Sequence, residues 1–202
     1  MQRFAFLLFS SLVLLFAGCS EAPQAATKKS PKPAEPVTGQ TALYRMYQVA
    51  RSWAPDAQVL KMNSIHLTEI PGVRGKAGAW QATFTSMARG EGRSYTYSVA
   101  EEEGNLHEGV FPGPQEHWSG PADASFLIAA VKVDTEIAYK TALKKAEDYD
   151  KTNPNQTISF ILEKQEKGSI PEWRVIWGES ASTSGISVLI DASTGLYLKT
   201  LH

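Results

Sequence analysis

The chain reads as an α+β protein of two similar helix-plus-antiparallel-sheet units. Three observations predict this. An amphipathic helical stripe opens each half; short strands with alternating apolar and polar residues follow it; and the elements recur in the same order in both halves. With 202 residues there is room for one or two domains. The 20 Lys and Arg against 21 Asp and Glu leave a formal charge of −1, so neither disorder throughout nor a nucleic-acid partner is expected. Cys19 is the only cysteine, which excludes an internal disulfide and a Cys-rich zinc site. No metal and no cofactor is expected.

Residues 1–18 read as a signal peptide. Arg3 is followed by the uncharged apolar run Phe4–Phe16 and then by Ala17 and Gly18. That run is too short for the roughly 20 residues a spanning helix needs. Leu15-Phe16-Ala17-Gly18-Cys19 resembles the lipobox of bacterial lipoproteins, although Phe16 stands where Leu is usual. The resemblance implies that the Cys19 thiol is acylated, that the mature chain begins there, and that Cys19 is the contact with the membrane. Ser20, in place of an Asp, points to the outer membrane over the inner, with the body facing the periplasm. Residues 19–40, with Pro23, Pro31, Pro33, Pro36 and Lys28, Lys29 and Lys32, read as a flexible linker.

The first unit is expected over 41–111. Ala42, Leu43, Met46, Val49, Ala50 and Trp53 recur at offsets of three and four, predicting a helix from Thr41 that Pro55 stops. Strands follow at Val59–Ile70, Ala79–Met87, Arg93–Ala100 and Leu106–Phe111, separated by Gly- and Pro-bearing turns. In two of them Trp80, Ala82, Phe84 and Tyr95, Tyr97, Val99 alternate with polar residues, so one face is covered and the other is wet. Residues 112–125 read as a connecting loop.

The second unit is expected over 126–202. It starts with an apolar strand at Phe126–Val133 and the N-cap candidate Asp134, and continues with a helix whose stripe is Ile137, Ala138, Ala142, Ala146 and Tyr149. Strands are expected at Thr157–Lys164, Trp173–Gly178, Ser184–Asp191 and Leu196–Leu201. Pro55 aligns with Pro154 and Trp80 with Trp173, which suggests an internal duplication.

Trp173-Arg174-Val175-Ile176-Trp177, followed by Asp191-Ala192-Ser193-Thr194-Gly195, resembles the end of a PepSY or PepSY-like domain. The likeness covers about 134–202; the first half fits only in outline, as a diverged copy. It implies a helix packed on an antiparallel sheet with cystatin-like layering, a home in the bacterial envelope, and a role in restraining a protease or touching another protein. It implies no catalytic residue.

The chemistry-bearing residues read as structure. Asp191–Gly195 has the form of a tight hairpin turn. Gly178-Glu179-Ser180-Ala181-Ser182 lacks the last glycine of a nucleophile elbow, and Gly90-Glu91-Gly92 lacks the third glycine of a dinucleotide site. His66, His107, His117 and His202 have no metal-ligand spacing, and Glu101-Glu102-Glu103 reads as a solvated tip. Catalytic residues are therefore expected to be none. The strand aromatics Trp80, Tyr95, Tyr97, Trp173 and Trp177 are the candidates for contact with a protein partner, since aromatics concentrate at interfaces. The function expected is a lipid-anchored, non-enzymatic envelope protein whose body binds or restrains another envelope protein, a protease being one such target. The alternative is a small-ligand module or enzyme that uses a concave sheet pocket.

Overall fold

The computed structural model describes residues 33–102, 106–165 and 169–202. Residues 33–202 form one compact body. Cys19 and the signal-peptide region lie outside the described residues.

The short strand β1 (Val37–Thr38) leads into helix α1 (Gly39–Trp53), which buries Ala42, Leu43, Met46 and Ala50. The predicted stripe is thus the packed face, except that Val49 stands 38% exposed at its margin. Strands β2 (Gln58–Ile65), β3 (Lys76–Ala77), β4 (Ala79–Ser86), β5 (Glu91–Ser98) and β6 (Gly109–His117) follow. The second half has helices α2 (Thr135–Leu143) and α3 (Glu147–Thr152), then strands β7 (Ile158–Glu163), β8 (Glu172–Trp177), β9 (Ile186–Asp191) and β10 (Tyr197–Leu201). The fold is α+β with a large antiparallel sheet, as the sequence predicts.

All the strands except β1 and β3, which pair with each other, join a single eight-stranded sheet in the order β10-β9-β8-β7-β2-β4-β5-β6. Each half is a meander that runs outward from its first strand. The halves fuse where those first strands pair, Lys61 opposite Glu163, Met62 opposite Leu162 and Asn63 opposite Ile161. Strand pairing therefore removes two edges that separate units would leave open.

The helices lie on one face. Trp80, Ala82 and Phe84 of β4, Tyr95 and Tyr97 of β5, Trp173, Val175 and Trp177 of β8, and Val188 and Ile190 of β9 point into the core they cover. The contact surface of α2 is Thr135, Ala138 and Ala142. Such small side chains let the helix sit close on the large indoles, and Tyr139 stacks on Trp177 at 6.4 Å.

The two helix N-termini meet over the seam. The Gly39 amide donates to Thr135 Oγ1 (2.9 Å), and the Gln40 amide donates to Asp134 Oδ1 (2.9 Å), which also accepts from the Thr135 amide (2.7 Å). One carboxylate of the second half thus caps helices of both halves. Trp80 Nε1 donates to the carbonyl of Val37 and Trp173 Nε1 to that of Val133, two residues before the start of α1 and of α2 respectively, so the two tryptophans hold matching places. Gly39 sits between them. A Cβ there would lie 2.7 Å from Thr135 Cγ2 and 2.8 Å from Trp173 Cη2, which is why no side chain is tolerated.

Expectations for three segments fail; the helix predicted through Tyr149 is two, α2 and α3, with Ile137 on the exposed side. Residues 112–117 are strand rather than loop, because β6 is an edge strand, where proline is tolerated, and Pro114 falls in the irregularity between the Arg93 and Tyr95 pairs. Phe126–Val133 is not a strand. Only Phe126 bridges to Val59, and Ile128–Ala130 turns as a 3-10 helix, because the Lys132 and Val133 amides both go to the Ala192 carbonyl instead of a neighbouring strand. Among the described residues no helix is long and apolar enough to cross a membrane.

Candidate functional site

Because the helices among the described residues pack on one face, the opposite face of the sheet is left to side chains and loops. At its centre β2, β4, β5, β7 and β8 present Lys61, Asn63, Gln81, Thr83, Ser94, Thr96, Glu163 and Arg174, the polar halves of their alternating patterns. None of these eight is buried. Lys61 occupies the middle. It lines three adjoining clefts, of about 280 Å³ toward β7 and the 178–185 loop, about 240 Å³ toward 121–124, and about 280 Å³ toward β5 and Trp118.

Loops frame this trough on two sides. Trp118 lies over the Gly92–Thr85 end of the sheet, where a Cβ on Gly92 would be about 4.0 Å from both Thr85 Cγ2 and Trp118 Cβ. On the other side the long β8–β9 connection passes over Ile176 and Ser159, and both are buried beneath it.

The cleft toward β7 holds the densest polar chemistry. The β2–β7 ladder stops after three residue pairs, and beyond it the Phe160 amide donates to Ser64 Oγ (3.0 Å) instead of to a backbone carbonyl. His66 Nε2 stands 2.8 Å from Ser159 Oγ. A Ser–His contact invites a nucleophile reading, but the geometry denies it. Ser159 Oγ lies 2.5 Å from the Gly178 carbonyl and 3.1 Å from that of Glu179, so its one hydrogen is donated to backbone and the imidazole must be the donor to the hydroxyl. Loss of solvent around the ring pushes the His66 pKa below its ordinary value, against the opposing pull of Glu179. Neutral imidazole donating from Nε2 to Ser159 satisfies both observations.

The predicted site residues fare differently. Cys19 is outside the described residues. Trp80, Trp173 and Trp177 are fully buried, and Tyr95 and Tyr97 are 1% and 4% exposed. They cannot form a partner face, because their alternation points them to the helix-covered side, where each indole nitrogen finds an acceptor: Val37, Val133 and, for Trp177, Asp150 Oδ1 at 2.8 Å. The residues that do line the open face are the polar partners in the same alternation, Gln81, Thr83, Ser94, Thr96 and Arg174. The period-2 pattern carries the signal for them, since each is the polar neighbour of a buried strand residue.

Asp191 is a turn residue. Its Oδ1 accepts from the Ser193 amide (2.7 Å) and the Thr194 amide (3.2 Å), and Gly195 takes the left-handed conformation at φ +76°. Residues Gly178 to Ser182 lie in the β8–β9 connection, not at a strand-to-helix elbow. His107 Nδ1 contacts Glu101 (3.0 Å), and among the described residues no three His, Cys, Asp or Glu side chains gather as a metal site.

No family model matches the chain, and no curated protein matches it. In structure it is similar to a crystal structure described as a "putative lipoprotein" from Clostridium difficile 630, with a TM-score of 0.52 and 10% identity over 79% of this chain and 91% of that one. Identity that low makes this a likeness of fold. The PepSY resemblance rests on Trp173–Trp177 and Ser187–Leu196.

Proposed function

We propose that this chain is a bacterial envelope lipoprotein, anchored through Cys19, whose body acts by binding another envelope protein on the uncovered face of its sheet and not by turnover. The observation that carries the reading is that face: a trough of polar side chains centred on Lys61, framed by Trp118 and the 178–185 loop, while Trp80, Trp173, Trp177, Tyr95 and Tyr97 lie in the core on the other side. Charged and hydrogen-bonding groups give an interface its specificity, and Lys61 with Arg174 selects a partner that offers acidic and hydrogen-bonding groups. The lipobox and the lipoprotein of like fold support the anchor, Ser20 favours the outer membrane with the body in the periplasm, and the PepSY resemblance favours a protease as target.

One observation favours a second reading. The 280 Å³ cleft with Lys61, Asn63, Ser64, Ser159, Glu163 and Glu179 has enough convergent polar groups to hold a small polar ligand.

A photo-crosslinking residue placed at Thr83, and separately at Tyr44 on the outer side of α1, distinguishes the faces in intact cells. The reading expects one envelope protein to be captured from Thr83, not from Tyr44, and capture to fall when Lys61 is changed to Glu. Capture from Tyr44 alone refutes it. A small molecule retained by the purified protein in native mass spectrometry, and lost in Asn63→Ala, favours the second reading.

A further inference from the structure

We infer that a second surface, formed by the β10 edge and the outer side of α2, docks on an anionic membrane. This rests on the proposed anchoring at Cys19. Leu196, Tyr197 and Leu198 are 65%, 39% and 40% exposed, and Ile137 of α2 is 51% exposed. They are one patch. A Cβ on Gly195 would sit 3.6 Å from Ile137 Cγ2, which puts Leu196 beside the helix, and Lys145 Nζ lies 4.7 Å from the Tyr197 ring centre. Ile137 and Thr141 lie four residues apart on α2, and Lys145 stands in the turn just beyond its end, so this side of the helix faces the strand.

The patch does not suit strand addition. Leu198 is a bulge between Tyr197 and Lys199, and a lysine in the middle of a five-residue edge strand is a device that blocks pairing. Self-pairing centred on Lys199 would oppose two like charges. What this edge and helix offer is therefore side chains: leucines and an isoleucine, an interfacial tyrosine, and the exposed lysines 140, 144 and 145, of which Lys145 lies over the Tyr197 ring. Of the two acidic residues near the start of α2, Glu136 is paired with Lys76 (3.5 Å), and Asp134 is committed to capping both helices. Apolar side chains ringed by cations match the acyl boundary and headgroups of an anionic leaflet. Supply of such a surface follows from the anchor. The 14 residues from Cys19 to Pro33 can reach at most about 50 Å, so acylation at Cys19 keeps the body within that distance of lipid.

The test uses the mature full-length protein in vesicles carrying nitroxide-labelled lipid, with Leu196→Cys or, as control at the β4–β5 turn, Met87→Cys bearing a fluorophore. The protein without an added cysteine reports the anchor separately, since an acylated Cys19 takes no thiol label and a free one does. Docking predicts quenching at residue 196 several-fold above that at 87 when phosphatidylglycerol is present. It predicts that the ratio of docked to undocked body, read from quenching at residue 196, falls roughly fivefold for each of Lys140→Glu and Lys145→Glu. Equal quenching at the two positions, quenching indifferent to lipid charge, or shielding of residue 196 without vesicles in a species of twice the mass overturns it.

Discussion

Replacing Asp134 tests how the two halves are held together. Its Oδ1 accepts the Thr135 amide at 2.7 Å and the Gln40 amide at 2.9 Å, so Asp134→Ala uncaps α2 and removes a cross-half bond at the start of α1. Loss of an N-cap costs about 1 kcal/mol, and a hydrogen bond to a charged acceptor about 1.5–3 kcal/mol. Asp134 keeps some solvent contact, which places the sum at about 2–3 kcal/mol. For a body of this size that is a fall in Tm of roughly 5–10 °C. Asp134→Asn keeps an acceptor in place and loses only the charge facing two helix N-termini, about 0.5–1 kcal/mol. Urea and thermal unfolding of the three proteins, followed by tryptophan fluorescence, measures both differences. A change under about 0.5 kcal/mol for Asp134→Ala refutes the claim that this carboxylate couples the halves, and equal losses for Ala and Asn refute the division between hydrogen bond and charge.

Gly39→Ala forces a methyl against Thr135 and Trp173 and is expected to cost about 1–3 kcal/mol by overpacking, checked by the same unfolding curves. Trp80→Ala and Trp173→Ala remove fully buried indoles and should each cost about 3–5 kcal/mol, whereas Tyr44→Ala, on an exposed position, should stay within about 0.5 kcal/mol. Loss of solvent holds the His66 pKa below the ordinary imidazole value, so its neutral form is the one the fold favours. Its contribution is therefore present above pH about 6.5 and lost as pH falls through the depressed folded value, and a pH series of unfolding midpoints should flatten in that window in His66→Gln. Cys19→Ala should abolish incorporation of labelled fatty acid and normal processing.

The helix-covered layer is the part that local pattern makes legible. The Ala42–Leu43–Met46–Ala50 stripe and the alternation around Trp80 and Trp173 depend on neighbours three, four or two residues away, and these are what a linear reading sees. The seam is not of that kind. Pairing of Met62 with Leu162 joins strands 100 residues apart and fuses two meanders into one sheet, and nothing in either strand names the other. The same distance effect explains Phe126–Val133, whose apolar run resembles a strand but whose Lys132 and Val133 amides are claimed by Ala192. Pro112 and Pro114 suggested a loop because a proline's place at an edge is a property of the finished sheet. Ile137, assigned to the inner stripe of α2, is half exposed because Thr135, Ala138 and Ala142 are the residues small enough to meet the tryptophans. For the site, the polar half of the alternation was visible, but the centrality of Lys61 arises only when β2 becomes an inner strand between β7 and β4.

The central claim, binding through the uncovered face, is tested most directly by titrating the protein captured from Thr83 against the wild-type chain and Lys61→Glu in a calorimeter. The account predicts affinity weakened at least tenfold, about 1.4 kcal/mol or more, with the unfolding midpoint of the variant unchanged. Equal affinity for the two proteins, with the variant still folded, would contradict it.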